Sequence, residues 1–512
     1  MRCKEWTACL PGGMLFACCA PGLNAWWLAW VGLIPLLRWA DNAGSRRSVL
    51  LGGFCFGLMF QGVYCGWLFS LHPLTWLGFT GWASGLIVWL VWLLVAVQGG
   101  LLTSGLLWLY RWLRPGPLRL ILFPCGWVLT FSLQHLTPLA LPWALLEYTQ
   151  AGLPLMRALA AWGHDAAWVS LALLAHNVFW AQRSIRVPLA GLLLPLLVWL
   201  MGKLPVLSHP DQEGLPLPVT VFQADLPIER IRTGALTADE ITRAYLKPLK
   251  HQLTHTARIP GMLAVYPEEG VINGIVLESQ PFAQPVLQAL QQLASRHTLW
   301  ITLGASTVEH GRLYNSMVLL APHPDPVQFY HKRRLVPFGE DTPYGWGEAL
   351  RRLLEPWQVF YSAPYVAGAP PSLMRLEGRH AGKTGPLRAG GLLCFELIDG
   401  NYPGHVGFAL QYARAGASVL INESNLGWFH QNPWLEAQFL AIGQMRAAES
   451  RLPLIIASNT GVSALISASG VVLSRTAPLH DRQAGSSQTQ QLVWPPAGKD
   501  KSFHSSKDKR RN

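Results

Sequence analysis

The chain has 512 residues, enough for two or three domains, and a formal net charge of +12. Hydrophobic residues make up 51% of the chain, charged residues only 13%, and 24 residues are tryptophan, which excludes an ordinary soluble protein. The positive charge does not indicate a nucleic-acid partner, because no recognition motif accompanies it.

The first 206 residues contain nearly all the long apolar runs, which predicts a polytopic α-helical membrane domain over 1–206 with about seven helices. The predicted spans are a short hairpin at 8–23 and 25–38, then longer segments at 49–70, 79–110, 118–135, 160–181 and 187–206. A cleaved signal peptide over 1–20 is the alternative for the first span, but the apolar run continues without a clear cleavage site.

Arginines mark every second loop of this domain: Arg38, Arg46 and Arg47, then Arg111, Arg114 and Arg119, then Arg183 and Arg186. The alternate loops are nearly free of basic residues, since 70–76 has none and 136–158 has only Arg157. Because positively charged loops stay in the cytoplasm, the pattern predicts a cytoplasmic N-terminus and an extracytoplasmic second domain.

A Pro-rich polar stretch follows, and we place a linker at 207–217. From 218 to 480 short β-branched strands alternate with helices, which is typical of an α/β domain with layered sheets. The predicted strands lie at 218–225, 262–269, 299–307, 315–322, 390–396, 418–425, 453–459 and 462–475. The polar, basic composition of 481–512 predicts a disordered tail that contacts anionic headgroups.

Cys394 is the only cysteine after Cys125, so an exported domain cannot use it for an internal disulfide. It is either a small buried hydrophobe or a nucleophile at the end of a strand.

Two further strand ends supply the groups that a nucleophilic cysteine needs. Glu268 follows a proline after one strand, and Lys332 follows another, with Glu340 eight residues later. A carboxylate can move the thiol proton, and an ammonium can stabilise a developing oxyanion. Taken singly, each has a structural alternative: a turn carboxylate, an exposed basic face in "HKRR", or a helix-start carboxylate.

The ordered set resembles the nitrilase (carbon-nitrogen hydrolase) superfamily and, within it, the apolipoprotein N-acyltransferase family. The similarity lies in Glu268 after "YP", Lys332, Cys394 with Glu396, "YHKRRLVPFGEDTP" (330–343), "PWALLEYTQAGLPLMRALAAWG" (142–163) and "NLGWF" (425–429). The resemblance implies an αββα sandwich over 218–480, with Glu268 as base, Lys332 as oxyanion stabiliser and Cys394 as nucleophile. Glu340, Glu396 and Phe395 would support them, without cofactor or metal.

The resemblance further implies a multi-pass enzyme of the bacterial inner membrane, with its catalytic domain on the periplasmic side. It would transfer an acyl chain from a phospholipid to the N-terminal amine of a diacylglyceryl-modified lipoprotein through a Cys394 thioester. A site at the bilayer surface avoids extracting acyl chains into water, which costs about 0.8 kcal/mol for each CH₂ group exposed. The alternatives are a membrane-anchored amidase or conjugal-transfer-type relative, and a non-catalytic membrane scaffold.

Three features depart from the family. Phe395 replaces the usual tyrosine after the nucleophile, Arg232 lies near the place of a common tryptophan, and no long apolar run follows residue 475. We also expect 335–354 to form a lid that contacts acyl chains through Trp346, Leu350 and Leu354.

Overall fold

The computed structural model describes residues 5–75, 78–79, 81–136, 141–183, 190–202, 218–232, 235–255, 261–268, 275–322, 326–341, 346, 349, 352, 365–370, 372–376, 379–380, 383–384, 387–476 and 490–494. The predicted linker at 207–217 lies outside these residues.

The membrane half is a bundle of helices with apolar outer faces. Its helices are Cys9–Ala17, Leu28–Val31, Ile34–Asn42, Arg46–Tyr64, Gly81–Trp112, Pro117–Ser132, Pro154–Gly163, Ala167–Ala181 and Leu193–Met201. Within the described residues, Gly81–Trp112 and Pro117–Leu136 are each long and apolar enough to cross a membrane. The pair Pro154–Gly163 and Ala167–Ala181 adds a third span if it is counted as one.

These helices differ from the predicted spans at two places. The predicted span 160–181 is broken, because the helices Pro154–Gly163 and Ala167–Ala181 are bent by 117°. His164 ends the first of them with a φ of 52°, in the left-handed region that cannot continue an α-helix. The predicted hairpin at 8–38 is three short helices rather than two continuous spans, with a turn at Gly22, whose φ is 96°.

Polar contacts gather the arginine-bearing loops at one end of the bundle. Arg38 donates to the carbonyls of Trp180 and Arg183 at 2.9 and 3.0 Å. Arg119, itself buried, pairs with Asp41 at 2.9 Å. Three loops that are distant in sequence therefore lie side by side.

The second half of the structure, from residue 218 onward, begins with a mixed sheet of seven strands. They are β1 (Val219–Gln223), β2 (Leu263–Val265), β3 (Ile275–Leu277), β4 (Trp300–Glu309), β5 (Arg312–Leu320), β6 (Gln328–His331) and β15 (Gln490–Trp494). Their order is β15-β1-β2-β4-β5-β6, with β3 also paired to β4. Pairing is parallel from β1 through β2 to β4, and antiparallel through β5 to β6.

A second sheet has six strands in the order β14-β13-β12-β11-β10-β7. They are β7 (Met374–Leu376), β10 (Leu387–Leu393), β11 (Val419–Ser424), β12 (Leu454–Ser458), β13 (Ala464–Ile466) and β14 (Val472–Arg475), while β8 (Arg379–His380) and β9 (Lys383–Thr384) form a separate ribbon. The central strands β10, β11 and β12 are parallel, so their carboxyl ends meet at one edge.

The two sheets pack face to face with helices outside them. Alternate residues of the first sheet, such as Val265 and Met317, share a core with Ile421 of the second sheet. Their neighbours, such as Ala264 and Val318, pack in a separate core with residues of the helices Lys247–His255 and Pro285–His297. The helices Phe408–Arg414 and Pro433–Ser450 cover the second sheet. This layering is the predicted αββα sandwich.

The prediction of a disordered tail over 481–512 is wrong for Gln490–Trp494. This segment forms β15 and pairs antiparallel with β1, Val219 opposite Trp494. Its backbone groups pair with those of β1, which would otherwise be an edge strand with unpaired N–H and C=O groups. The rest of 481–512 lies outside the described residues.

The helix Pro433–Ser450 also joins the second half of the structure to the membrane half. Gln438 accepts from the indole nitrogens of Trp67 and Trp143 at 3.1 and 2.6 Å and donates to the carbonyl of Tyr64 at 3.1 Å. Farther along, the buried carboxylate of Glu449 accepts from the backbone N–H of Ala166 at 3.2 Å. Trp143 lies in the arginine-poor loop 136–158, whereas Tyr64 and Ala166 lie at the ends of helices whose opposite ends carry Arg46 and Trp180. Because Arg38 contacts Trp180, these partners lie at the end of the bundle away from Arg38.

Candidate active site

Cys394 lies where β10 ends, at the first residue of the short 3-10 helix Cys394–Ile398. Its φ is 44°, in the left-handed region that a residue with a Cβ rarely adopts. Asn422 of the neighbouring β11 donates its amide to the Cys394 carbonyl at 3.3 Å. Such backbone strain is typical of functional positions.

Three of the side chains predicted from the sequence converge in a buried cluster. The ammonium of Lys332 lies 3.1 Å from Glu268 Oε1 and 2.8 Å from Glu340 Oε1. Asn315 donates its amide to the same two oxygens, at 2.8 and 2.6 Å. The second oxygen of Glu340 accepts the backbone N–H of Val336 at 2.8 Å, which fixes its orientation.

The cluster favours a charged lysine. Burial by itself would lower the pKa of Lys332, but Glu268 and Glu340 outweigh it and hold the pKa well above its ordinary value. Cys394 contributes in the same direction, so the thiol and the ammonium interact.

The thiol behaves in the opposite way. Shielding from water raises the pKa of Cys394, and the charge of Glu268 raises it further, while Lys332 and a hydrogen bond from the backbone N–H of Asn425 lower it only in part. The resting group is therefore a thiol rather than a thiolate. An attack by sulfur requires a base that removes its proton, and Glu268 is the adjacent carboxylate.

Glu396 connects the strand of Cys394 with the strand of Lys332. One of its oxygens accepts the backbone N–H groups of Arg333 and Arg334 at 2.6 and 3.1 Å. The other accepts the N–H of Leu393 and the hydroxyl of Tyr330, both at 2.8 Å. Burial raises the pKa of Glu396, and these donors oppose that shift.

The aromatic ring after the nucleophile has a polar partner. The guanidinium carbon of Arg334 lies 5.6 Å from the centroid of the Phe395 ring. Arg334 also pairs with Asp399 at 2.8 Å. The ring thus keeps a defined place without the hydroxyl that a tyrosine would supply.

Three residues near the cluster were not singled out by sequence reasoning: Asn315, Asn425 and Glu423. Glu423 is completely buried in β11, beside the buried hydroxyl of Thr302. Burial raises its pKa well above the ordinary value, the hydroxyl of Thr302 opposes that shift, and the charge of Glu268 adds to it. A signal was present in "INESN", where polar residues end an apolar strand.

Half of the predicted lid, including Leu350 and Leu354, lies outside the described residues. Trp346 is described and is 51% exposed. The side chain of Arg232, which ends the helix Ile228–Arg232, is also outside them.

Two family models match this chain. Residues 250–482 match the family described as carbon-nitrogen hydrolase, which includes the Glu268, Lys332 and Cys394 positions. Residues 12–178 match the apolipoprotein N-acyltransferase N-terminal domain. The two matches lie in the same order as the two halves of the structure.

Curated relatives are similar along most of the chain. A protein of Gloeobacter violaceus named apolipoprotein N-acyltransferase is 28% identical over 472 residues, covering 90% of this chain and 83% of the relative. A Haemophilus ducreyi protein with the same name is 24% identical over 464 residues, with coverages of 88% and 84%. The solved structure of Saccharomyces cerevisiae Nit3, of the nitrilase superfamily, aligns with a TM-score of 0.35 and 11% identity over 55% of this chain and 90% of Nit3.

Proposed function

We propose that this chain, which belongs to the apolipoprotein N-acyltransferase family, N-acylates bacterial lipoproteins with an acyl chain taken from a membrane phospholipid. The acceptor is the N-terminal amine of a cysteine that already carries diacylglycerol. The observation that carries the proposal is the buried cluster of Glu268, Lys332 and Glu340 beside the strained strand end at Cys394.

Glu268, Lys332 and Cys394 form the catalytic set in this proposal. Glu268 takes the thiol proton while the Cys394 sulfur attacks the ester carbonyl carbon of the phospholipid. Two N–H groups of the Lys332 ammonium face the carboxylates, and the remaining one stabilises the oxyanion. The ester C–O bond then breaks, and the lysophospholipid oxygen takes the proton from Glu268. The product on the enzyme is a thioester.

The second half-reaction reverses the roles of the same groups. The lipoprotein amine attacks the thioester carbon and gives a proton to Glu268. The C–S bond breaks, the amide is released, and the Cys394 sulfur recovers a proton from Glu268. Glu340 keeps Lys332 in place through both steps, and Glu396 and Phe395 hold the backbone on either side.

The position at which the catalytic half docks supports the proposed membrane topology. It contacts the loops around Tyr64, Trp143 and Ala166, whereas the arginine-bearing loops lie together at the other end of the bundle. With positive loops in the cytoplasm, the catalytic half is periplasmic and held beside the bilayer. The multi-pass count of about seven spans belongs to the same proposal.

The test is the mass of the intact protein after incubation with phospholipid and no acceptor. Wild type should gain the mass of one fatty acyl group, and Cys394→Ala should gain none. Cys125→Ser, which changes an exposed cysteine of the helix Pro117–Ser132, is the matched control and should acylate normally. Adding a diacylglyceryl peptide should remove the acyl mass and produce the N-acyl peptide.

Two other results would identify the alternatives. Protein that never gains acyl mass from any phospholipid but releases ammonia from small amides is an amidase. Protein that does neither, and whose Glu268→Gln, Lys332→Met and Cys394→Ala triple variant still supports the cell, is a scaffold.

A further inference from the structure

We propose that Glu278, Glu309 and His331 bind one divalent transition-metal ion on the face of the sheet opposite the catalytic lysine. His331 Nε2 lies 3.6 Å from Glu278 Oε1 and 3.8 Å from Glu309 Oε2. One ligand atom from each residue lies within 4.8 Å of the others.

The position follows from strand alternation. Ser316 pairs with His331 between β5 and β6. Ser316 directly follows Asn315, and His331 directly precedes Lys332. Neighbouring residues of a strand point to opposite faces. Asn315 and Lys332 therefore serve the catalytic cluster on one face, while Ser316 and His331 serve the trio on the other.

Side chains outside the trio fix the protonation of the His331 ring. Thr307 donates its hydroxyl to Glu278 at 2.6 Å, because a carboxylate can only accept. A hydroxyl has one proton, so Ser316 must be the donor in its 2.7 Å bond to Thr307. Ser316 has then used its own proton, and in its 2.8 Å bond to His331 Nδ1 the ring nitrogen must be the donor.

With the proton on Nδ1, the Nε2 nitrogen of His331 faces two negative groups. In a neutral imidazole protonated at Nδ1, Nε2 carries a lone pair, and that lone pair meets the carboxylates of Glu278 and Glu309. Three acceptors facing one another repel unless a positive charge lies between them. The separations of 3.6 and 3.8 Å are too long for direct hydrogen bonds to either carboxylate.

A metal ion satisfies all three acceptors at once. Zn²⁺ binds imidazole nitrogen and carboxylate oxygen at about 2.0–2.2 Å, which places ligand atoms about 3.3–3.6 Å apart in a tetrahedral site. A metal-bound histidine also needs a partner for its second nitrogen, which Ser316 supplies, and Tyr314 stacks on the ring at 4.2 Å. Imidazole among the ligands favours Zn²⁺ or a similar transition ion over Mg²⁺ or Ca²⁺.

The location gives the ion a structural role near the reaction. It would tie the ends of β4 and β6 and the turn after β3 into one unit. The backbone of Lys332 follows directly from His331, and its N–H donates to the Asn315 carbonyl at 2.8 Å. The side chain of Glu309 is 45% exposed, so an ion can enter from solvent.

The test measures metal content and does not depend on acyl transfer. Full-length protein in detergent is stripped with EDTA, incubated with Zn²⁺, desalted and assayed for bound zinc and melting temperature. Wild type should retain one zinc ion more per chain than Glu309→Gln or His331→Gln. Zn²⁺ should raise the melting temperature of wild type and leave the melting temperatures of the two variants unchanged. Asp239→Asn, a change at a 75% exposed carboxylate, is the control and should match wild type.

A further variant separates ligation from general destabilisation. Ser316→Ala leaves all three ligands but removes the partner of Nδ1, so Zn²⁺ affinity should fall about 10- to 100-fold. Equal zinc retention by wild type and both ligand variants would overturn the proposal. So would a wild-type melting temperature that responds to pH but not to Zn²⁺, since the positive charge would then be an imidazolium.

Discussion

Glu396 accepts the backbone N–H of Arg333 at 2.6 Å, although the two residues are 63 positions apart. Arg333 directly follows Lys332, and Glu396 lies two residues after Cys394. One carboxylate therefore sets the distance between the proposed nucleophile and the proposed oxyanion stabiliser. It is a positioning residue, since it acts through backbone groups.

Replacing Glu396 should damage the alignment of the site. In Glu396→Ala the buried N–H groups of Leu393 and Arg333 lose their acceptor, and we expect acyl-enzyme formation to slow about 10²-fold with a lower melting temperature. Glu396→Gln keeps one carbonyl acceptor and should lie between Ala and wild type. A Glu396→Ala protein that acylates at the wild-type rate would contradict the positioning role.

Glu268→Gln should separate the acidity of the thiol from its catalytic use. Glu268 raises the pKa of Cys394, so its neutralisation should lower that pKa. Alkylation of Cys394 by iodoacetamide, followed by mass spectrometry across a pH series, should reach half its maximal rate at a lower pH than in wild type. Acylation by phospholipid at neutral pH should nevertheless be lost, because the proton carrier is gone. A variant whose alkylation shifts to higher pH would refute this assignment.

Lys332→Met should slow acyl-enzyme formation by about 10²–10³-fold, as the loss of an oxyanion donor does elsewhere. Rapid-quench mass spectrometry of the acyl-enzyme gives the rate. The matched control is Lys250→Met, at an exposed lysine of the helix Lys247–His255. Loss of less than about threefold in Lys332→Met, against an unchanged control, would remove Lys332 from the proposed mechanism.

Glu423 should make stability depend on pH. Folding raises the pKa of this carboxyl, so the folded state binds its proton more tightly than the unfolded state does. Its contribution to stability is complete below the ordinary glutamate pKa of about 4.3 and is lost as the pH rises through the folded value. Glu423→Gln is neutral at every pH and has no such loss. The melting temperature of the variant minus that of wild type should therefore increase between about pH 5 and about pH 9. A difference that stays constant would show that Glu423 is not held protonated.

The main strands were predictable because their apolar runs end in polar residues. Glu268, Lys332 and Cys394 stand at or just after such ends. The parallel strands β10 and β11 end at the same edge of their sheet, where Cys394 follows β10. Asn315 was not predicted, since a single buried asparagine within a strand has no periodic signature. Its role depends on two carboxylates that are 47 and 25 positions away.

The membrane half was less predictable in detail. Hydropathy located the apolar segments but not the break between Gly163 and Ala167, which depends on the left-handed turn at His164. Composition also failed at Gln490–Trp494, because pairing with the distant β1 outweighs a weak local preference.

The helix Pro433–Ser450 covers the second sheet with one side and meets the bundle with another, through Gln438 and Glu449. The two halves thus adhere through their own surfaces as well as through the polypeptide that connects them. A protease cut in that connection would leave two fragments that still migrate together in native electrophoresis. Conversely, the catalytic half produced without the bundle would present Gln438 and its surrounding apolar surface to water. Aggregation of this fragment would then result from the exposed interface rather than from misfolding of the αββα sandwich.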